Sequence, residues 1–217
     1  MMQQADTLTR SPSNDTTALW DWRRRINDLY SAIRANPDPE AAWHRWRTER
    51  NTLFASHSQS PLDPDIRAAF TQAPFTGINT YDYDPALRLS AQLDPIDEAP
   101  LEQFPAGAET ITLRPFARTN GLQTPLGAEL TLYWITGYGG GVFLPFADTT
   151  NRSETFAAGR YLLDTIKGAD LGMQDHRVLL DFNFAYYPSC AYSPRWVCPL
   201  APPANRLPKP VRGGERD

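Results

Sequence analysis

The chain has 217 residues, a formal charge of −4 and an isoelectric point near 5.4. That length suits one domain able to bury roughly 70% of the surface its unfolded chain exposes, and the acidic balance excludes the basic face that phosphate-backbone binding requires. The opening MMQQADTLTRSPSNDTT has no apolar run of the kind a secretory signal carries, and no stretch approaches the ~20 apolar residues of a membrane span, so a cytoplasmic protein without nucleic-acid or membrane partners is expected.

Residues 1–15 are polar and are expected to be disordered. Thr16 or Thr17 can cap a first helix, in which Leu19, Trp22, Ile26, Leu29, Tyr30 and Ile33 recur at helical spacing. The run Asn36-Pro37-Asp38-Pro39 ends it, and Pro39 suits the first turn of a second helix. There Trp43, Trp46, Leu53 and Phe54 form a stripe, with Arg50 and His57 on the same side; residues 60–70 read as a cap and a short third helix. Residues 16–72 thus make a helical arm. Its first stripe must bury against the second helix or against the partner in a homodimer.

From Tyr81 onward the period changes to two. ALRLSAQL, ETITLRPF, ELTLYWIT, GVFLPFAD, GRYLLDTI and HRVLLDFNFAYY read as strands separated by Gly, Pro, Asn and Asp. Gly137 to Gly141 are followed by strand, not helix, so they are expected to form a hairpin turn and not a phosphate loop. CPLAPPANRLPKPV can form neither helix nor central strand, because each Pro removes a donor. The fold class expected is α+β: N-terminal helices packed on a predominantly antiparallel β-sandwich or barrel over 81–217, with a Pro-rich C-terminal wrap.

In RVLLDFNFAY, alternation puts Val178, Leu180, Phe182 and Phe184 on the core face and Asp181 and Asn183 about 6–7 Å apart on the other. That pair could grip a polar ligand or orient a water, with Asp181 as acid or base; a solvent-facing polar pair is the plainer alternative. Arg160, beside Tyr161 at the start of a strand, suits an anionic group, or else a structural ion pair with Asp148 or Glu154. Cys190 and Cys198 stand eight apart, too far for a zinc pair, and His44, His57 and His176 have no paired spacing. No metal or other cofactor is expected. Buried thiols, a disulfide or redox pair, and a nucleophilic Cys190 all stay open, and Pro194 is expected to turn the chain so that the two thiols approach. A nearby cation would lower the Cys190 pKa.

YGGGVFLPFADTTNRSETFAAGRYLLDTIKGADLG and LDFNFAYYPSCAYSPRWVCPLAPPANRLPKPVRGGE together resemble the bacterial and archaeal family known as domain of unknown function 1684. The resemblance runs from about Trp43 to Glu215. It implies Asp181, Asn183, Tyr186, Cys190, Tyr192 and Cys198 as motif positions, with Asp148, Glu154, Thr155, Arg160 and Tyr161 upstream and Asn205 and Glu215 downstream. This chain departs from the family where Tyr187 stands for Asn, Ala204 for Glu, and Phe156-Ala157-Ala158 for Tyr-Gly-Gly. Together these readings describe a site for an anionic or polar small molecule in the β-domain, binding or enzymatic. Asp181 and Cys190 would be its reactive groups, Arg160, Tyr161, Asn183, Tyr186, Tyr192 and Asn205 its ligand contacts, and Asp148, Glu154, Cys198 and Glu215 the supports. The alternatives are a structural or protein-interaction module whose polar motifs lock loops, and a thiol-redox switch.

Overall fold

The computed structural model describes residues 12–70, 77–106 and 109–217. Disorder was expected for 1–15, of which 1–11 lie outside the described residues. Helix α1 (Pro12–Ala35) begins before the expected Thr16 or Thr17 cap. Pro12 fits a helical first turn, and Asp15 meets the positive end of the helix dipole there. Helix α2 (Pro39–Ser56) starts as expected: Asp38 accepts the backbone N–H groups of Glu40 and Ala41, both at 3.0 Å, with Pro39 in the first turn. Helix α3 (Pro64–Ala69) is short.

The stripe of α1 is covered within the chain. Ile26, Leu29, Tyr30 and Ile33 cluster with Trp43, Trp46 and Leu53 of α2 and with Ala169, Leu171 and Phe184 of the β-region. Trp46 sets its ring edge-on to Phe184 at 5.5 Å. Leu19 departs from the expected stripe, being 38% exposed beside Trp20 at 69%.

Among the described residues eight strands follow: β1 (Arg88–Pro95), β2 (Glu102–Ala106), β3 (Glu109–Asn120), β4 (Thr131–Ile135), β5 (Gly141–Phe146), β6 (Arg160–Asp164), β7 (Met173–Gln174) and β8 (Arg177–Asp181). They form one antiparallel sheet, curled as a half-barrel, in the order β6-β5-β4-β3-β1-β8-β7, with β2 beside β3. β3 is long enough to pair β2 through its first half (Glu102↔Leu113) and β1 through its second (Gln92↔Asn120). Its register to β4 slips between Pro115 and Ala117, and that of β5 to β6 between Leu144 and Pro145; a proline in a strand has no N–H for the ladder and is accommodated at a bulge. Gly137, Gly139 and Gly140 take positive φ in the turn between β4 and β5, as a tight hairpin requires. β2 and β7 were not legible. β7 turns into β8 through Asp175 and His176, both at positive φ, without the usual glycine.

The strand expected over 176–187 ends at Asp181. Asp181 caps a 3-10 turn, Phe182–Phe184, by accepting the Asn183 N–H at 3.1 Å. Alternation therefore stops there. Asp181 and Asn183 are both fully buried and joined at 2.8 Å, not spaced along a polar face. The turn also divides the two phenylalanines: Phe182 packs on Phe146 in the main core, and Phe184 enters the cluster under the arm.

After the sheet, the chain from 199 onward pairs with several distant segments. Leu207 donates to Ala147 O at 2.8 Å, and Glu215 donates to Ala185 O at 2.8 Å. Gly214, at φ +77°, sits where any Cβ would lie 2.2 Å from Ala185 O, so only glycine lets the chain approach so closely. On the surface, Arg212 forks onto Glu154 at 2.8 and 2.7 Å, and Tyr81 donates to the same carboxylate at 3.0 Å. Arg212 first, and then Tyr81, hold the Glu154 pKa down to about 2. A depressed carboxyl stabilises the fold above its unfolded value of 4.5 and loses that contribution as pH falls towards 2. A carbon-detected NMR titration should find the Glu154 midpoint near 2, and Glu154→Gln should flatten the acid-side fall in urea midpoint. A midpoint in the ordinary carboxylate range would contradict this. Among the described residues no helix is long and apolar enough to cross a membrane.

Candidate functional site

Most of the polar residues singled out from sequence act as internal ties. Arg160, 1% exposed at the head of β6, donates through Nη2 to Asp148 Oδ2 at 2.8 Å and to Val211 O at 2.7 Å. Its Nη1 donates to Gly213 O and Glu215 O. Four protein acceptors hold this guanidinium, which fastens residues 211–215 to the sheet. Asn205 does the same at another point: its Oδ1 accepts Thr131 N–H at 2.8 Å, and its Nδ2 donates to Thr131 O and Pro145 O. Asn183 clamps Asp84 through both the N–H at 2.9 Å and the carbonyl at 2.8 Å. Asp181 accepts from Asn183 and, at 3.3 Å, from Arg88, while burial raises its pKa. Unpaired buried polar groups are costly, and among these side chains Arg160 Nε alone is left without a partner, as a lock requires of the rest.

Cys190 and Cys198 are free thiols that interact with each other, as the turn around Pro194 was expected to allow. The electrostatics run opposite to the expectation. Burial, followed by the neighbouring Cys198, pushes the Cys190 pKa up to about 12 from an ordinary 9.0. At neutral pH its thiolate, the nucleophilic form, is then scarcer by a factor on the order of 1,000. Iodoacetamide should label native Cys190 about that much more slowly than a free cysteine, as read by peptide mass analysis, and labelling should become fast in denaturant. Rapid native labelling at pH 7 would contradict the burial.

Three motif tyrosines do meet at a cavity, between the arm and the sheet. Tyr161 and Tyr186 exchange backbone hydrogen bonds at 2.8 and 3.0 Å, which sets their rings 5.9 Å apart and nearly perpendicular. Tyr192 joins them, edge-on to Phe54 of α2 at 5.0 Å. Trp22, Ile26 and Tyr30 of α1 close the opposite wall. The cavity holds about 70 Å³ for the centres of water-sized molecules, and the cleft with its mouth encloses about 540 Å³. One water needs roughly 10–15 Å³ by the first measure. Arg160, Asp181, Asn183, Asn205 and Cys190 are not among its lining residues.

Glu215, fully buried, organises one side of this cavity. Its Oε1 accepts Arg50 Nε at 3.1 Å and also Arg50 Nη2; its Oε2 accepts Tyr187 N–H at 2.6 Å and the Tyr192 hydroxyl. The Arg50 guanidinium stacks between Trp46, Phe54 and Tyr186, about 5 Å from each ring. On the rim, Lys167 follows β6 in a 3-10 turn and reaches Asp164 at 2.8 Å. That turn supports α1 directly: a Cβ on Gly168 would lie 2.9 Å from Asn27 Cα. Burial raises the pKa of Tyr30 to about 12 and lifts those of Tyr186 and Tyr192 well above the ordinary 10.0, so all three phenols are protonated at neutral pH. Sequence reasoning missed Tyr30, Lys167 and Tyr187. Arg50 had left a trace, as a cation on an apolar helical stripe.

A second groove of about 300 Å³ lies where Arg34 and Arg88 flank Leu171, Leu179 and Phe184. Both of its arginines already hold protein acceptors, Asp170 O and Asp181 respectively.

Two departures from the family pattern meet in space. The Tyr187 hydroxyl accepts the Phe156 N–H at 3.0 Å and donates to Asp217 at 2.9 Å, with the Phe156 and Tyr187 rings 5.8 Å apart. The sequence profile of the family described as protein of unknown function (DUF1684) matches residues 73–216, a narrower span than the one read from Trp43. Among curated proteins none matches. Among solved structures, the solution NMR structure of an uncharacterized protein from Haloarcula marismortui is 29% identical. It covers 82% of this chain and 94% of its own, with a TM-score of 0.54. That share exceeds residues 73–216, so the similarity extends into the arm.

Proposed function

Because the chain belongs to the family described as protein of unknown function (DUF1684), we propose its role from its own geometry: it binds a small molecule in the tyrosine-walled cavity between the arm and the sheet. The observation that carries this is the Tyr186 side chain. It stands in the cavity wall, and its hydroxyl makes no hydrogen bond among the described residues, although the neighbouring phenols of Tyr161, Tyr187 and Tyr192 each hold a protein acceptor. Concave, largely apolar sites with a few convergent polar groups are the common form of ligand pockets. Tyr161, Tyr186 and Tyr192 are the contacts, and Glu215 holds the wall in place.

In this reading the proline-rich stretch from Pro199 to Pro210 is a strap over the sheet, tied by Asn205 and followed by the segment that Arg160 fastens. Two unbonded thiols support a cytoplasmic location. The test is NMR of the full chain with phenol, benzyl alcohol and benzoate at millimolar concentration. Shifts should concentrate on Ala169, Ser189 and Tyr192, which line the cavity, and Tyr186→Phe should weaken them. If no compound perturbs these residues, the proposal fails.

A second reading, a structural or interaction module, is supported by Arg160, Asn183 and Asn205, each held by several protein partners, and by the exposed Leu19 and Trp20 of α1. A homodimer through those two side chains would appear as a doubled mass in light scattering, abolished by Trp20→Ser.

A further inference from the structure

We infer that the occupant of this cavity is a small carboxylate on a flat apolar body, its carboxylate received by Arg50 in the depth and Lys167 at the rim. The inference rests on the cavity being a ligand site and adds the chemistry of the ligand. Four polar side chains of the lining decide it: Arg50, Lys167, Tyr30 and Tyr186. Each open hydrogen-bonding position they offer can donate.

Arg50 is 7% exposed. Its Nε and Nη2 are held by Glu215, and its Nη1 has no protein acceptor among the described residues. Unlike Arg160 Nε, that Nη1 is not sealed inside protein packing. Lys167 gives one N–H to Asp164 at 2.8 Å and keeps two, since an ammonium has three donors. Tyr30 accepts Trp46 Nε1 at 3.3 Å, which leaves its own proton to give, and the Tyr186 hydroxyl is unengaged. Among the described residues no carboxylate lines the space. Glu215 and Asp164 stand behind the cations, and both Glu215 oxygens are occupied.

A ligand that supplied only donors would leave the Arg50 and Lys167 protons unanswered. A neutral acceptor would answer them weakly, because hydrogen bonds to an ionised partner are roughly twice as strong as neutral ones. An anion also restores the solvation that a buried guanidinium loses. Shape selects the rest of the molecule. The inner space of about 70 Å³ admits a carboxylate-sized head, and the cleft walls of Trp22, Phe54 and Tyr186 present rings to a flat body.

The experiment titrates the full chain with benzoate, benzyl alcohol and benzylamine, similar in size and differing in charge, by NMR at low ionic strength. Benzoate should bind at least tenfold more tightly than benzyl alcohol, with benzylamine weakest. Lys167→Met, at a partly exposed position, should cut benzoate binding severalfold and benzyl alcohol binding much less, so that the benzoate advantage shrinks. Arg50→Met alone strands Glu215 and can fail to fold, so the paired Arg50→Met and Glu215→Gln variant tests the deeper contact. It should abolish the advantage. Equal binding of benzoate and benzyl alcohol overturns the carboxylate assignment and leaves the cavity reading standing. If none of the three shifts the cavity residues, both fall. A benzoate preference untouched by either variant places the anion elsewhere and overturns the inference.

Discussion

Replacing Arg160 with Met is expected to cost about 3–5 kcal/mol, the range for removing one partner of a buried ion pair. Both side chains of the Arg160–Asp148 pair are fully inaccessible. The substitution leaves the Asp148 carboxylate without its cation and removes the donor from the carbonyls of Val211, Gly213 and Glu215. Each carbonyl lies on the segment that delivers Glu215 to the cavity wall. The loss should therefore appear twice: as a lower urea midpoint at unchanged slope, and as altered NMR shifts at Arg50, Tyr187 and Tyr192, which Glu215 holds. Arg160→Lys should recover little, since one ammonium cannot reproduce the planar fork. A cost below about 1 kcal/mol, as for an exposed pair, would show that the tie is dispensable.

Removing residues 1–36 should have the larger effect. It uncovers the apolar face that Ile26, Leu29, Tyr30 and Ile33 share with α2 and the β-region. At about 1.5–3 kcal/mol for each buried side chain, the four represent roughly 6–12 kcal/mol, partly offset by the chain entropy recovered. Whole-domain stability is on the order of 5–15 kcal/mol. Calorimetry should show a melting temperature lower by ten degrees or more, or no cooperative transition at all. An unchanged melting curve would mean that the arm is an appendage, and the cavity would lose its α1 wall.

The arm was legible because helical periodicity and proline punctuation act locally. Ile26, Leu29 and Tyr30 fall at helical spacing, and Asp38-Pro39 starts α2 through contacts within three residues. Six of the eight strands announced themselves by the same local logic. β7 did not, because Asp175 and His176 make its turn without glycine. Family resemblance located Tyr161, Tyr186 and Tyr192, which do come together at the cavity.

Composition and periodicity thus marked, unaided, the helices of the arm and six of the strands. They could not say what a polar side chain at a motif position faces. Asp181 read as one end of a polar face, but its carboxylate accepts the N–H two residues on and turns the chain, so the alternation it depended on ends there. Arg160 read either as an anion site or as the structural partner of Asp148 or Glu154; the Asp148 pair is present, but its other acceptors lie more than fifty residues ahead, at Val211, Gly213 and Glu215. Conversely Arg50, read only as a cation on the apolar side of a helix, was placed at the cavity by Glu215, 165 residues away. Hydrogen-bond saturation is a property of contacts distant in sequence, and only the closed tertiary structure decides which donors are taken and which are left for a ligand.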